Sequence, residues 1–197
     1  DAQNMGGRNV LVMINGISLN STRATSRQFD AIDPFNIEKI EVLSGASSIY
    51  GGDSTGGIIN IITKKPTSNK LAFETSVGLK SGFHKDDLDK RIAQSVEGGT
   101  DNVKFRLGAA FTQNEGAFDA NGDQIITDVK QADFQYNRSI DLLGGISAKL
   151  APNQDLNVDL QYYNSKVRNK KWLSFGQNFV GFTTKNPDLI NVLDGAD

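Results

Sequence analysis

Asp33-Pro34-Phe35-Asn36-Ile37-Glu38-Lys39-Ile40-Glu41-Val42-Leu43-Ser44-Gly45 is the stretch on which the fold turns. Asp33-Pro34 reads as a helix N-cap with proline at the first helical position, where its missing N–H is no loss. Only a short helical turn can follow, because Ile37, Ile40, Val42 and Leu43 are strand-like. Upstream, Val10-Leu11-Val12-Met13-Ile14 is a continuous apolar run, the pattern of a strand buried on both faces. Asn15-Gly16 is a strong hairpin-turn signal, with Ile17 to Leu19 as the returning partner. A polar segment runs from Asn20 to Gln28. Downstream, Ala46 to Tyr50 suits another short turn of helix, and Gly51-Gly52 and Gly56-Gly57 bracket a tight polar loop. Ile58-Ile59-Asn60-Ile61-Ile62-Thr63 is a second β-branched strand, closed by Lys64-Lys65-Pro66. The expectation to Pro66 is a small α+β unit with a few buried strands.

After Pro66 the pattern changes to long alternation of period two. Leu71, Phe73, Thr75, Val77 and Leu79 share one face, opposite Ala72, Glu74, Ser76, Gly78 and Lys80. Val103, Phe105, Leu107, Ala109 and Phe111 oppose Lys104, Arg106, Gly108, Ala110 and Thr112. Ile140, Leu142, Gly144, Ile146, Ala148 and Leu150 oppose Asp141, Gly145, Ser147 and Lys149, with Leu143 as an exception. Leu156, Val158, Leu160 and Tyr162 oppose Asn157, Asp159, Gln161 and Tyr163; the strand from Ile92 to Gly98 is less clean. Gly99 to Asn102 and Ala151 to Gln154 are short turns. Ser81 to Asp89, Glu115 to Asn137 and the segment after Lys166 are longer and polar. Short turns at one end and long loops at the other fit a membrane barrel. A soluble β-sandwich or up-and-down barrel also alternates, so alternation alone leaves both open.

Composition narrows the chemistry. The 197 residues carry a net charge of −2, so neither a basic excess points to nucleic acid nor an acidic block to a tail. Cysteine is absent and His84 is the one histidine, which removes Cys-ligated and His-cluster metal sites. No nucleophile–base pair is evident, so an enzyme is the least favoured class. No apolar run reaches the roughly 18–20 residues of a membrane helix, but membrane strands need only about 9–11.

The block from Asn9 to Pro66 resembles the plug domain of TonB-dependent outer-membrane receptors. The residues that carry the resemblance are Val10 to Gly16, Asp33 to Gly45, Ala46-Ser47-Ser48-Ile49-Tyr50-Gly51-Gly52 and Gly56 to Pro66. Within that family the Gly-Gly and Ile-Asn-Ile-Ile-Thr-Lys form is similar to ferric-siderophore receptors, such as those of the acinetobactin kind. The resemblance implies an α+β plug, here its C-terminal part over residues 1–66. It implies that residues 67–197 begin an antiparallel transmembrane β-barrel of about 22 strands, of which this chain supplies about five. It further implies a fragment of a longer protein, without signal peptide, TonB-contacting segment, first half of the plug or last barrel strand.

The implied activity is import of a ferric siderophore across the outer membrane of a Gram-negative bacterium, energised through TonB. The implied partners are the siderophore, TonB and the lipid bilayer with its lipopolysaccharide, for a monomeric receptor that binds no nucleic acid. Iron would travel on the ligand, with no cofactor held by the protein. Haem, cobalamin or a glycan are alternative cargoes of the same fold; a soluble adhesion or structural protein is the alternative of another class.

Tyr50 falls where the family places an upward-facing plug residue that can contact the siderophore; the plain alternative is a tyrosine packed beside Gly51-Gly52. Asn20 to Gln28 holds the position of an apical plug loop, where the guanidinium groups of Arg23 and Arg27 could receive an anionic chelate or serve as ordinary loop charge. Trp172 and Phe175 lie in the long segment after Lys166, where the choice is ligand stacking or an interfacial girdle; the girdle suits Tyr162 and Tyr163 better. Many relatives carry arginine where Ser44 stands, and plug arginines help hold the plug against barrel carboxylates, so Ser44 departs from that lock. Asp119, Asn121 and Asp123 imitate the start of a calcium loop, but Gly122 precedes the third ligand, which favours a surface loop. Gly45 to Gly57 lacks the Lys-Ser/Thr of a phosphate loop. Glu38 and Glu41 lie three apart on a strand and should not converge.

Overall fold

A computed structural model describes residues 10–18, 32–44, 57–122, 124, 135–167, 172–175 and 181–184; for Val10, Val167 and the last two segments it describes backbone alone. The expected features at Asn20 to Gln28 and Ala46 to Tyr50 lie outside these residues.

The first sheet has four strands: β1 (Val10–Ile14), β2 (Ile17–Ser18), β3 (Ile37–Leu43) and β4 (Gly57–Thr63), in the order β2-β1-β4-β3. β1 and β4 run parallel at its centre, with Val12 beside Ile59 and Ile14 beside Ile61. Their apolar continuity is explained by burial on both faces. Leu11, Met13 and Ile58 form one cluster; Val12, Ile32 and Ile61 form the other, with Ile14 and Ile37 packed against it. The β1–β2 hairpin turns on Asn15 and Gly16, at φ 49° and 80°, as a two-residue turn with two positive φ angles requires. The Asn15 side chain then fastens the turn to β4, donating to Thr63 Oγ1 (2.8 Å) and accepting from Thr63 N–H (3.0 Å).

Asp33 caps a single 3-10 turn, Pro34–Asn36, by accepting from Phe35 N–H at 2.9 Å. Extended backbone resumes at Ile37, and β3 pairs antiparallel with β4, with a register shift between Ile37 and Lys39. The sequence reading of turn followed by strand holds here.

The second sheet is a meander of β5 (Ala72–Lys80), β6 (Asp89–Gly99), β7 (Val103–Asn114), β8 (Asn137–Ala151) and β9 (Gln154–Val167), each beside its chain neighbours. The turns at 100–102 and 152–153 are short, and the connections at 81–88 and 115–136 long, as expected. β8 and β9, of 15 and 14 residues, exceed the expected ten. They also exceed the 5–6 typical of globular sheets. At about 3.3 Å per residue and a tilt of about 45°, such strands are long enough to cross a hydrocarbon layer of about 30 Å. A separate two-stranded antiparallel ribbon, β10 (Trp172–Phe175) with β11 (Gly181–Thr184), occupies part of the segment read as loop.

The faces of this sheet are inverted relative to a water-soluble protein. Phe73, Val77, Leu79, Leu107, Ile146, Leu150 and Leu160 are exposed, Leu160 to 74%. On the opposite face Ser95, Arg106 and Asp141 are buried, Asp141 to 1% exposure. Leu143, the exception in the alternation, lies on that buried side at 3%. It departs from the pattern because its face is covered by protein. Among the described residues no helix is long and apolar enough to cross a membrane, which leaves crossing by strands untouched.

The chain divides into two compact units. One comprises Asp1–Thr75, Ala93–Ala110 and Asp141–Tyr163; the other Ser76–Ile92, Phe111–Ile140 and Asn164–Asp197. In the second unit the 81–88 connection is built around Asp87, whose carboxylate accepts from Ser81 Oγ–H (2.6 Å), Gly82 N–H (2.6 Å) and His84 N–H (3.2 Å). His84 stacks on Phe118 at 3.7 Å between ring centroids.

Candidate functional site

Within the first unit, the 3-10 turn of Asp33 to Asn36 seats against the polar face of β7, β8 and β9. The turn is short because Pro34 fixes its start and the β-branched Ile37 resumes extended backbone. It therefore projects Phe35 and Asn36 as a compact plug of one ring and one amide.

Phe35 packs between Ala93 of β6 and Ala110 of β7, where small side chains leave room for a ring. Lys64 Nζ lies 4.9 Å and Arg106 Cζ 5.8 Å from its centroid, so two cations face one aromatic ring. Asn36 is fully buried and every polar group on it is used. Its N–H donates to Asp33 C=O (2.9 Å), and its C=O accepts from Lys64 N–H (2.8 Å). Its side-chain amide donates to Asp141 Oδ2 (3.3 Å) and accepts from Arg106 Nη1 (3.1 Å). The amide dipole thus lies between a wall anion and a wall cation, NH2 toward the carboxylate and C=O toward the guanidinium. Both ends are charge-assisted, the stronger class of hydrogen bond.

Asp141 also accepts from Asp33 N–H (2.7 Å) and from Gln161 Nε2 (3.4 Å). The carboxylate so collects one backbone and one side-chain donor from the turn and a third from β9. Gly108 makes the approach possible. A Cβ there would overlap Asn36 Oδ1 and stand 2.8 and 3.1 Å from the two terminal nitrogens of Arg106. The wall is dished at one residue, and the amide fills the dish.

Beside this latch lies a cavity of about 280 Å³ lined by charges, among them Glu38, Lys64, Glu74, Glu97 and Arg106. Lys64 pairs with Glu74 at 3.4 Å, and Glu97 accepts from Thr67 N–H at 3.2 Å. Arg106 is 5% exposed, and its Nη2 is buried without a hydrogen-bond partner among the described residues.

Tyr50, Arg23 and Arg27 lie outside the described residues. Trp172 and Phe175 begin and end β10, with backbone alone described. None of the expected ligand contacts therefore has a described side chain. Ser44 is exposed at the end of β3. The turn is held to the wall instead by Asn36 and by the Asp33 amide. Asp119 is used locally: it accepts from Asn121 N–H (2.9 Å) through its side chain and from Gly122 N–H (3.1 Å) through its C=O. Among the described residues no acidic or histidine cluster could hold a metal. Glu41 pairs with Lys39 at 2.9 Å while Glu38 lines the cavity, so the two acids do not converge.

Sequence reading placed Arg106 and Asp141 on the polar face without giving them a task. The available signal was a charge in mid-strand followed two residues later by glycine on the same face, Arg106 and Gly108. Nothing local marked Asn36.

Residues 2–58 match the family model described as "TonB-dependent Receptor Plug Domain". The chain is 42% identical over 97% of its length to the ferric aerobactin receptor of Klebsiella pneumoniae. It is 40% identical over 99% of its length to the rhizobactin receptor of Rhizobium meliloti (strain 1021). It spans about a quarter of each of these relatives, 26%. Among solved structures, the siderophore receptor PirA from Pseudomonas aeruginosa superimposes with a TM-score of 0.59 at 26% identity, covering 84% of this chain and 28% of that one.

Proposed function

We propose that this chain, a TonB-dependent receptor by its plug domain, serves to bind a ferric siderophore at the outer membrane of a Gram-negative bacterium and import it with energy delivered through TonB. The observation that carries the reading is the inverted sheet: apolar side chains exposed along β5, β7, β8 and β9, and a protein turn seated on their polar side. A soluble sandwich would bury the face that is exposed here. Lipid against one face and a plug against the other accounts for both. Residues 1–66 then form the C-terminal part of the plug, and residues 67–197 begin a barrel of about 22 strands.

The relatives named for aerobactin and rhizobactin support a cargo of that kind, and move the proposal there from acinetobactin. Iron is carried by the ligand and is not a cofactor of the protein. Arg23, Arg27, Tyr50 and Trp172 remain the proposed contacts. Import requires no covalent chemistry on the substrate. The ligand favours one of two plug states by differential affinity, and TonB acts on that state.

The test is growth of an iron-starved deletion strain carrying the full-length gene, with ferric aerobactin, ferric rhizobactin or haem supplied separately, and growth of a cobalamin auxotroph carrying it on cobalamin. Uptake of one of the two siderophores, lost when TonB is absent, is the expected result. Rescue by haem or cobalamin alone would replace the cargo; no membrane localisation would overturn the reading.

A further inference from the structure

The polar side of the sheet carries its own replacement partner for the cation that holds the turn. Arg106 is the wall residue whose only side-chain hydrogen bond among the described residues goes to the turn, at Asn36 Oδ1. Its second terminal nitrogen is buried without a partner among the described residues, and it lines the cavity that Glu74 and Glu97 also line. Those two acids are the carboxylates whose charge reaches it.

Glu74 exerts the larger influence but is paired with Lys64 at 3.4 Å, which leaves Glu97 as the acid without a cation partner among the described residues. The turn bond from Thr100 N–H to Val103 C=O (2.7 Å) starts the β6–β7 hairpin. Counted outward from that bond, Gly98 falls beside Phe105, whose ring would lie 3.5 Å from a Cβ at Gly98, and Ala93 falls beside Ala110, both of which cluster with Phe35. The same register sets Glu97 across from Arg106, where opposed Cβ atoms stand about 4.5–5.5 Å apart. Both residues lie on the polar face. Glu97 is occupied at present by Thr67, which donates to it through N–H (3.2 Å) and Oγ–H (3.5 Å). Thr67 lies four residues beyond β4, at the start of residues 67–197, and stays on the wall; its two donors leave acceptor sites on the Glu97 carboxylate open to a guanidinium.

We propose that Arg106 is a hand-over residue. With the turn seated it holds Asn36, and when the turn withdraws it passes to Glu97, so that the wall closes an ion pair of its own. The device lowers the cost of unseating the plug. A buried guanidinium left without an acceptor would oppose withdrawal strongly. One that finds a carboxylate on the neighbouring strand opposes it much less. Asn36 suits the arrangement because a neutral amide is a weaker partner for the guanidinium than a carboxylate. The inference rests on the reading of residues 1–66 as a plug that moves.

The opposite sign of two effects makes this testable. In the full-length receptor, freed of other cysteines, Ala110→Cys places a thiol under the Phe35 ring, and its alkylation by a maleimide in outer-membrane vesicles reports withdrawal of the turn. If Glu97 receives Arg106 only in the withdrawn state, Glu97→Gln disfavours that state and slows alkylation, by about 3- to 10-fold. The slowing disappears in an Arg106→Gln background. If Glu97 serves only to hold Thr67, Glu97→Gln loosens the seat and speeds alkylation in both backgrounds, which overturns the proposal, as does no change at all. Should Arg106→Gln fail to assemble, the sign in the native background still decides. A thiol never alkylated in any variant would overturn the hand-over together with the mobile plug on which it rests.

Discussion

Replacing Gly108 by alanine adds one methyl group to the wall at the point where Asn36 touches it. The new Cβ would overlap Asn36 Oδ1 and crowd Arg106 Nη1 at 2.8 Å, with both neighbours buried. The amide cannot retreat without loosening its other bonds, to Asp141 at 3.3 Å and to Arg106 at 3.1 Å. A hydrogen bond to a charged group contributes about 1.5–3 kcal/mol, so seating of the turn should weaken by about ten- to hundredfold. Gly144→Ala is the matched control, because its Cβ would meet only Leu107 Cδ1, at an ordinary 3.8 Å. The assay is hydrogen exchange of the peptide covering residues 32–37 in the intact protein. It carries the Asp33, Phe35 and Asn36 amides that donate to Asp141 Oδ2, Asp33 Oδ1 and Asp33 C=O. Exchange should accelerate in Gly108→Ala and stay unchanged in Gly144→Ala. Equal protection in both would refute the claim that the dish at Gly108 is what lets the turn seat.

Three further outcomes are expected. Asp141→Asn leaves the Asp33 and Gln161 donors facing an amide and should cost about 1–3 kcal/mol, read as a lower midpoint in the thermal release of residues 32–37 from protection. Leu107→Arg separates the membrane reading from the soluble one by sign: in lipid it should destabilise by about 2–4 kcal/mol near the midplane, whereas on a water-facing surface it would be neutral or improve solubility. Urea titration of the protein folded into lipid vesicles measures it. Asp87 is held below the usual carboxylate range chiefly by the Ser81 hydroxyl, then by the His84 and Gly82 amides. The contribution of a depressed carboxylate is present above its unfolded pKa and is lost as pH falls through the folded value. Exchange of the 81–88 amides should therefore rise only below about pH 4, and Asp87→Asn should remove the step; a transition near neutral pH would contradict it.

What could be read in advance divides along physical lines. β1 and β4 were legible because a strand buried on both faces has one composition, and Asn15-Gly16 because few dipeptides accept two positive φ angles. The capped turn at Asp33-Pro34 was legible for the same local reason. The five long strands were legible from period two, yet period two is unchanged when the two faces are exchanged. Which face meets protein is a tertiary fact. Leu143 carried that fact in disguise: an apolar residue among polar ones marks the stretch of wall that is covered, and it looked like noise. The latch was not legible at all, since Asn36 meets Arg106 and Asp141 across 70 and 105 residues of chain.

The lock against the wall also shows why a departure at one position need not weaken a function. The resemblance led to an expectation of a plug arginine against barrel carboxylates, and Ser44 withholds it. Here the signs are divided differently: the wall supplies both the cation, Arg106, and the anion, Asp141, and the turn supplies a neutral amide and a backbone N–H. A neutral insert has a consequence that a charged one lacks. Withdrawing an arginine would leave an unpaired carboxylate on the wall and take an unpaired cation away, each costing several kcal/mol when buried. Withdrawing Asn36 removes no net charge, and leaves behind a cation with acids of the wall within its reach. On the proposed reading of a plug that is released by a pull, that division of charge eases release, because the cation that holds Asn36 has an acid of the wall to turn to once the turn has gone.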